Sequence, residues 1–407
     1  MNLSDLIDIS DNLSLSAQKM MMLKKSIIKR LSMSGEATIA ELSNELAFSI
    51  PTVTKIISEL IDEGFVFETG KLGTAGGRKP KQFGINPAAC YYLGIEVNRY
   101  SVSIGIQDSK NNFIKLTENI DYKLENNLES LDDLCNLINR FVDELLIERE
   151  KIVGACVNLS GRINSTVGYS YNYFYFEEKP LSEIIESKIK IKTFLENDTR
   201  AMAYGEYNYG VVEKEKNVIF LNIGLGVGIG LIIDGKLYYG KSGFSGEFGH
   251  SPVFDNEIIC QCGKKGCLET ETSGEALERI FKDKLRKGSK SILSARKSID
   301  EIKVDDILNA ITENGDTLAI EIINEIGNNI GRYLSVLINI FNPELIVIGG
   351  ILAKTDVYIR LPIKSAVHKH SISLVNLDME MKMSALGSKA GVVGACCILR
   401  DKLFYGV

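Results

Sequence analysis

Three cysteines and a histidine, His250, Cys260, Cys262 and Cys267, fall within about twenty residues of one another. Zinc takes thiolate and imidazole ligands in a tetrahedron, so these four predict a complete Cys3His site. Four protein ligands leave no open position for a reacting water, and the expected role is therefore structural. Gly263 and Gly266 stand between the second and third cysteines, where the loop must fold back and positive φ is expected. Buried or disulfide-bonded thiols beside an unrelated histidine are the competing reading. Close Cys/His spacing in an intracellular chain points to metal first. The acids on either side, Glu247 and Glu269, would then be held fixed relative to each other.

A second group capable of chemistry is Glu196-Asn197-Asp198-Thr199-Arg200, where a strand is expected to end and a helix to begin. That is the crevice position of α/β folds. An aspartate there accepts a hydroxyl proton as a general base, or Asp198 or Thr199 simply caps the helix; both readings stand. The run Gly224-Leu225-Gly226-Val227-Gly228-Ile229-Gly230 follows a strand, as phosphate-binding loops do. No Lys-Ser/Thr follows it, so it is not a Walker A loop, and a tight hairpin packed under a ligand fits it equally well.

Net charge is −6 over 407 residues, which argues against nucleic acid as a partner of the whole surface. The first ninety residues differ. Lys19, Lys24, Lys25, Lys29 and Arg30 form one acid-free basic run, and Lys71, Arg78, Lys79 and Lys81 another. Charge runs alone are usually solvated faces, but here a motif accompanies them. Apolar residues at spacings of three and four predict a helix over 16–31. Thr38 and Glu41 form a capping box opening a second helix. Ser49-Ile50-Pro51 caps a third, over 51–63, which Gly64 ends. Two short helices joined by a brief turn are the helix-turn-helix layout. Ser49, Thr52, Thr54 and Lys55 face outward near the start of the third helix and suit phosphate and base-edge contacts. The glycine-rich basic ribbon over 70–81, ending Gly-Gly-Arg78-Lys79-Pro, reads as a wing for a minor groove. A palindromic operator of double-stranded DNA needs two such heads, so a dimer is expected.

From Tyr91 the texture is that of an α/β protein. Strands are expected over 92–97, 101–106, 152–159 and 192–195, with helices over 128–147 and 181–189. The pattern restarts at Asn217, about 125 residues on, which predicts a duplication of α/β lobes. Hydrophobic content of 45% and charged content of 25% are ordinary for a soluble globular protein. No signal peptide and no apolar run near 18 residues is found, so a cytoplasmic protein with no membrane partner is expected. The other cysteines, at 90, 135, 156, 396 and 397, are not spaced as a disulfide framework.

Together these stretches resemble the ROK family of repressors, open reading frames and kinases. The resemblance is carried by Glu-Asn-Asp at 196–198, the glycine run at 224–230 with Ile-Ile-Asp-Gly at 232–235, and Gly-Glu-Phe-Gly-His at 246–250. The Cys-x-Cys-Gly-x-x-Gly-Cys-x-Glu block at 260–269 and Gly349-Gly350 complete it. The head resembles that of the family's repressor branch, similar to N-acetylglucosamine, glucose and xylose repressors. The resemblance implies a winged helix-turn-helix followed by an actin-like, hexokinase-like duplicated α/β fold with a sugar held between the lobes. By position it implies that Asn197, Asp198, Glu247, His250 and Glu269 hydrogen-bond sugar hydroxyls, with zinc holding that wall.

Two departures bear on catalysis. Kinases of the family carry Asp-x-Gly-Gly-Thr after the first strand, and this chain reads Glu96-Val97-Asn98-Arg99-Tyr100. In the second loop Leu225 stands where the kinases have Thr, and Ile229 where they have Gly. The expectation is a non-enzymatic, sugar-responsive transcriptional regulator, most simply a repressor, in which Asp198 keeps the position of the kinase base without its chemistry. Its partners would be operator DNA, a monosaccharide or sugar-phosphate effector that closes the lobes, and further copies of itself in a homodimer or homotetramer. An ATP-dependent sugar kinase carrying a DNA-binding head is the alternative; activation, or control by a protein partner, is a third. The expected domains are 1–85 for the head, 86–200 for the first lobe completed by a C-terminal helix over 388–407, and 201–387 for the second lobe.

Overall fold

A computed structural model describes residues 14–71, 80–176 and 178–405. The chain forms two compact units, Met1–Glu196 with Ala395–Val407, and Asn197–Gly394.

The first unit opens with α1 (Leu15–Ser34), β1 (Ala37–Thr38), α2 (Ile39–Leu46), α3 (Ile50–Asp62), β2 (Val66–Lys71) and β3 (Lys81–Ile85). The capping box predicted for α2 is present: the Thr38 hydroxyl accepts the Glu41 N–H, and Glu41 Oε2 accepts the Thr38 N–H at 2.7 Å. Ser49 caps α3, which buries Val53, Ile56, Ile57 and Leu60. The three strands pair in the order β1-β3-β2 and back the helices as in a winged head. Arg78 and Lys79 lie outside the described residues.

The same unit continues through β4 (Tyr91–Val97), β5 (Ser101–Asp108), β6 (Phe113–Asp121), α4 (Leu128–Asp143), β7 (Ile152–Leu159), β8 (Ile163–Asn164), β9 (Tyr169–Ser170), α5 (Leu181–Ile189) and β10 (Thr193–Asn197). Its main sheet runs β10-β7-β4-β5-β6, and the largely buried β4 and β7, apolar but for Glu96 and Asn158, pair in parallel. The head sits against the β5–β6 turn: Ser32 Oγ donates to the Ser109 carbonyl at 2.7 Å and accepts from Asn111 Nδ2 at 3.4 Å.

The second unit holds α6 (Asp198–Tyr209), β11 (Val218–Ile223), β12 (Val227–Ile233), β13 (Lys236–Leu237), α7 (Glu269–Thr272), α8 (Gly274–Arg286), α9 (Val304–Asn314), α10 (Thr317–Phe341), β14 (Leu345–Gly349), α11 (Val357–His370), α12 (Ser373–Leu377) and β15 (Glu380–Met383). Its sheet runs β13-β12-β11-β14-β15. In each unit a long antiparallel hairpin (β4–β5, β11–β12) pairs its first strand in parallel with a later one (β7, β14). The fold is thus duplicated at the level of topology, as the repeated texture predicts. The last helix, α13 (Ala390–Tyr405), begins in the second unit and ends in the first.

Of the two readings of 224–230, the tight hairpin is the one observed: β11 and β12 pair antiparallel up to Ile223 and Val227, and Gly228 and Gly230 lie within β12. The first basic run differs from expectation and is not an open stripe. Lys24 is buried and pairs with Glu59 at 2.9 Å and Glu63 at 2.8 Å, Arg30 pairs with Glu45, and Lys25 donates to the Leu403 carbonyl. A buried ammonium must be neutralised, so burial drew acids from α3 toward α1.

Candidate functional site

All five residues assigned by resemblance to the polar wall, Asn197, Asp198, Glu247, His250 and Glu269, stand in the second unit. Two stretches deliver them, and both lean on β12. A Cβ at Gly230 would fall 2.3 Å from Ala203 Cβ, so α6 approaches the strand where glycine leaves room. Gly246 has φ +93, and a Cβ there would fall 2.1 Å from the Ile229 carbonyl, so the turn carrying Glu247 rests directly on strand backbone. Only glycine fits that approach.

Asn197 is the N-cap of α6; its Oδ1 accepts the Arg200 N–H at 3.0 Å. Asp198 is the first residue of α6, and its Oδ1 accepts the Thr199 N–H at 2.6 Å. Burial, with Glu247 adding to it, pushes the Asp198 carboxyl up to about 6 against the lowering effects of Thr199 and Arg200. The cap role left open for Asp198 or Thr199 is filled by Asn197.

His250 turns its two ring nitrogens in different directions. Nε2 lies 3.6 Å from Glu247, and Nδ1 lies 3.2 Å from Glu269 Oε1 and 3.4 Å from Cys260 Sγ. The hydrogen bond to Glu269 raises the imidazole above its usual range despite partial burial. Cys262 and Cys267 place their sulfurs 3.6 Å apart, and the ligand atoms of His250, Cys260, Cys262 and Cys267 all lie within 4.8 Å of one another. Tetrahedral bonds of about 2.3 Å to sulfur require ligand separations of about 3.7 Å, so the donor set and spacing fit a metal ion of the zinc class. A tight turn makes this possible: Cys260 N–H donates to the Lys264 carbonyl, Gly263 N–H to the Cys260 carbonyl, and Gly263 and Gly266 have φ +83 and +73.

Between β4 and β5 the chain makes a two-residue turn at Arg99-Tyr100. Asn98 N–H donates to the Ser101 carbonyl at 2.8 Å, and the Arg99 guanidinium lies over the Tyr100 ring at 5.5 Å. In the second unit the Gly274 and Glu275 N–H groups, at the start of α8, donate to the Gly224 and Leu225 carbonyls.

In the head, Ser49 Oγ lies 2.8 Å from Thr52 Oγ1, and the Thr54 hydroxyl donates back to the Ile50 carbonyl. Ser49, Thr54 and Lys55 are exposed, with Lys55 only 4.0 Å from Glu59.

Two supporting side chains carry no assigned role in the sequence reading. Asn222 Nδ2 donates to Thr199 Oγ1 at 2.9 Å, and Arg200 Nη1 donates to the Gly243 carbonyl at 2.6 Å. A signal existed for each: Asn222 is the one polar residue in Val218–Ile223, and Arg200 the one cation in α6.

Residues 92–402 match the ROK family, and the chain belongs to it. Its relatives include a xylose repressor of Bacillus spizizenii, 29% identical over 399 residues and 97% of each chain. Another is the DNA-binding transcriptional dual regulator NagC of Escherichia coli K12, 26% identical over 377 residues, 92% of this chain and 91% of that one. Among solved structures, a ROK family transcriptional regulator described as a homolog of the E. coli MLC protein superposes with a TM-score of 0.80 at 24% identity, over 95% of this chain and 97% of that one. A ROK family glucokinase from Streptomyces griseus, with glucose and AMPPNP, superposes with a TM-score of 0.66 at 24% identity, over 76% and 98%.

Proposed function

We propose that this protein is a sugar-responsive transcriptional regulator, most simply a repressor, whose head binds operator DNA and whose second unit reads a monosaccharide or sugar phosphate. What supports this reading is one chain holding both a capped helix-turn-helix and the five residues that the resemblance assigns to a sugar wall, with the Arg99-Tyr100 turn at the place where kinases of the family carry a phosphate loop. The similarity to repressors through nearly the full chain, head included, supports it.

Asn197, Asp198, Glu247, His250 and Glu269 would pair with sugar hydroxyls, since carboxylates and amides each hold two neighbouring oxygens. His250 Nδ1, Cys260, Cys262 and Cys267 would hold Zn2+, leaving Nε2 on the side of Glu247. The ion would supply a rigid crosslink that keeps Glu247 and Glu269 in register. Ser49, Thr52, Thr54, Lys55, Arg78 and Lys79 would contact DNA, two heads of a homodimer (or of a homotetramer built from dimers) meeting two half-sites. The effector releases DNA only as far as it binds the non-DNA conformation more tightly. No described helix is long and apolar enough to cross a membrane.

The test is a coupled assay with ATP and a hexose and pentose panel, run beside operator gel shifts with the same sugars. The expected result is a sugar that shifts operator binding with no turnover. Turnover at or above roughly 1 s⁻¹, the ordinary enzyme range, would overturn the regulator-only reading in favour of a kinase with a DNA-binding head.

A further inference from the structure

We propose that Arg200 is a positioning residue that braces the two stretches of the polar wall against each other. The brace stands on geometry; its purpose rests on the sugar-site reading above.

Arg200 is 1% exposed and sits in the first turn of α6. It reaches both stretches at once. Its backbone N–H donates to Asn197 Oδ1 at 3.0 Å and so fixes which way the Asn197 amide turns. Its guanidinium donates from Nη1 to the Gly243 carbonyl at 2.6 Å and lies over the Tyr239 ring, 5.5 Å from the centroid. Tyr239 and Gly243 belong to the segment 239–246, which has no helix or strand of its own and leads directly into Glu247. Other contacts hold that segment near its ends. Tyr238 N–H donates to the Leu231 carbonyl, Ser245 N–H to the Tyr239 carbonyl, and Ile229 N–H to the Gly246 carbonyl. The middle of the segment is therefore gripped by a side chain from α6.

Arginine suits this position and lysine does not. A planar guanidinium donates in its plane and stacks through its face at the same time, whereas an ammonium is a point charge on a flexible stem. A cation two residues from Asp198 also opposes the charge that Glu247 places on it. Arg200 touches no ligand under this proposal; its side chain acts through Gly243 and Tyr239, while the backbone N–H that holds Asn197 is one any residue here would supply.

The test compares the full-length protein with Arg200→Lys and Arg200→Met, without added ligand. By hydrogen exchange, both variants are expected to speed exchange across 239–246 at least tenfold while amides of β11 and α10 keep their rates. By carboxyl NMR, Arg200→Met raises the Asp198 titration midpoint and Arg200→Lys leaves it in place, a split that lost packing alone does not produce. Wild-type exchange rates over 239–246 in Arg200→Lys would overturn the brace. Should Arg200→Met fail to fold, Tyr239→Leu carries the same test, with the same amides loosening. Calorimetry with N-acetyl-D-glucosamine and D-xylose then separates the two ideas. If wild type binds neither sugar, the sugar reading is weakened, while the brace stands or falls on exchange alone.

Discussion

Glu269 Oε1 lies 3.2 Å from His250 Nδ1. Glu269 also accepts the Cys260 thiol at 2.9 Å and directs its other oxygen to the Val227 N–H at 3.5 Å. An acid assigned to sugar by resemblance thus leans on two of the four metal-type ligands and on β12. Zinc on Nδ1 and on the Cys260 thiolate would take the place of both protons and leave Glu269 beside the ion, so a change in the metal cluster should be felt at this acid.

The first prediction follows from that contact. Cys262→Ser leaves three ligands, and zinc measured by elemental analysis should fall to a small fraction of one per chain. The thermal shift produced by an effector sugar should vanish with it, because Glu247 and Glu269 lose their common anchor. Retained sugar binding in a zinc-free variant would show that the ion is not a buttress.

Asp198 offers a prediction in pH. With its carboxyl pushed up to about 6 by burial, sugar affinity should fall as pH drops from 7.5 through 6, since the protonated group accepts hydroxyl protons poorly. Stability runs the other way. A folded value above the unfolded value of about 3.9 means that ionising this group costs stability once pH exceeds both, on the order of 1–2 kcal/mol after allowing for its partial exposure. Asp198→Asn should therefore raise Tm at pH 7.5 while abolishing the sugar response. A lower Tm together with intact binding would contradict both halves.

The two kinds of lysine in the head should separate on DNA. Lys55 is exposed and, under the proposed assignment, contacts phosphate; Lys55→Ala should weaken operator binding and reduce the salt slope by about 1. Arg78→Ala should behave alike. Lys24, spent on Glu59 and Glu63, should leave the salt slope unchanged in Lys24→Met and instead lower the stability of the head. Gel shifts at matched salt, with a fluorescence melt of each variant, check the contrast.

The capping box gives a local test. Thr38→Ala removes the acceptor for the Glu41 N–H and should cost about 1 kcal/mol, read as faster amide exchange in α2 with little change in β11. Equal exchange in both elements would mean the box contributes nothing to the head.

Local chemistry was legible without coordinates. Thr38 with Glu41 and Ser49 before Ile50-Pro51 announce helix starts because a capping bond spans only three residues. The cysteine spacing announces a metal-type cluster because a few residues of loop can bring four ligands within tetrahedral reach. The second strand-rich start at Asn217 announces the duplicated topology. None of these depends on a distant part of the chain.

What tertiary structure decided was who meets whom across long separations. That Lys24 and Arg30 are neutralised by α3 and α2, that Gly228 and Gly230 serve a strand under α6, and that Arg200 grips a carbonyl more than forty residues away all depend on packing. A charge run or glycine run looks the same in sequence whether it faces solvent, phosphate or a neighbouring helix. Burial makes the difference, because a buried charge must find a partner and a close backbone approach must find a glycine.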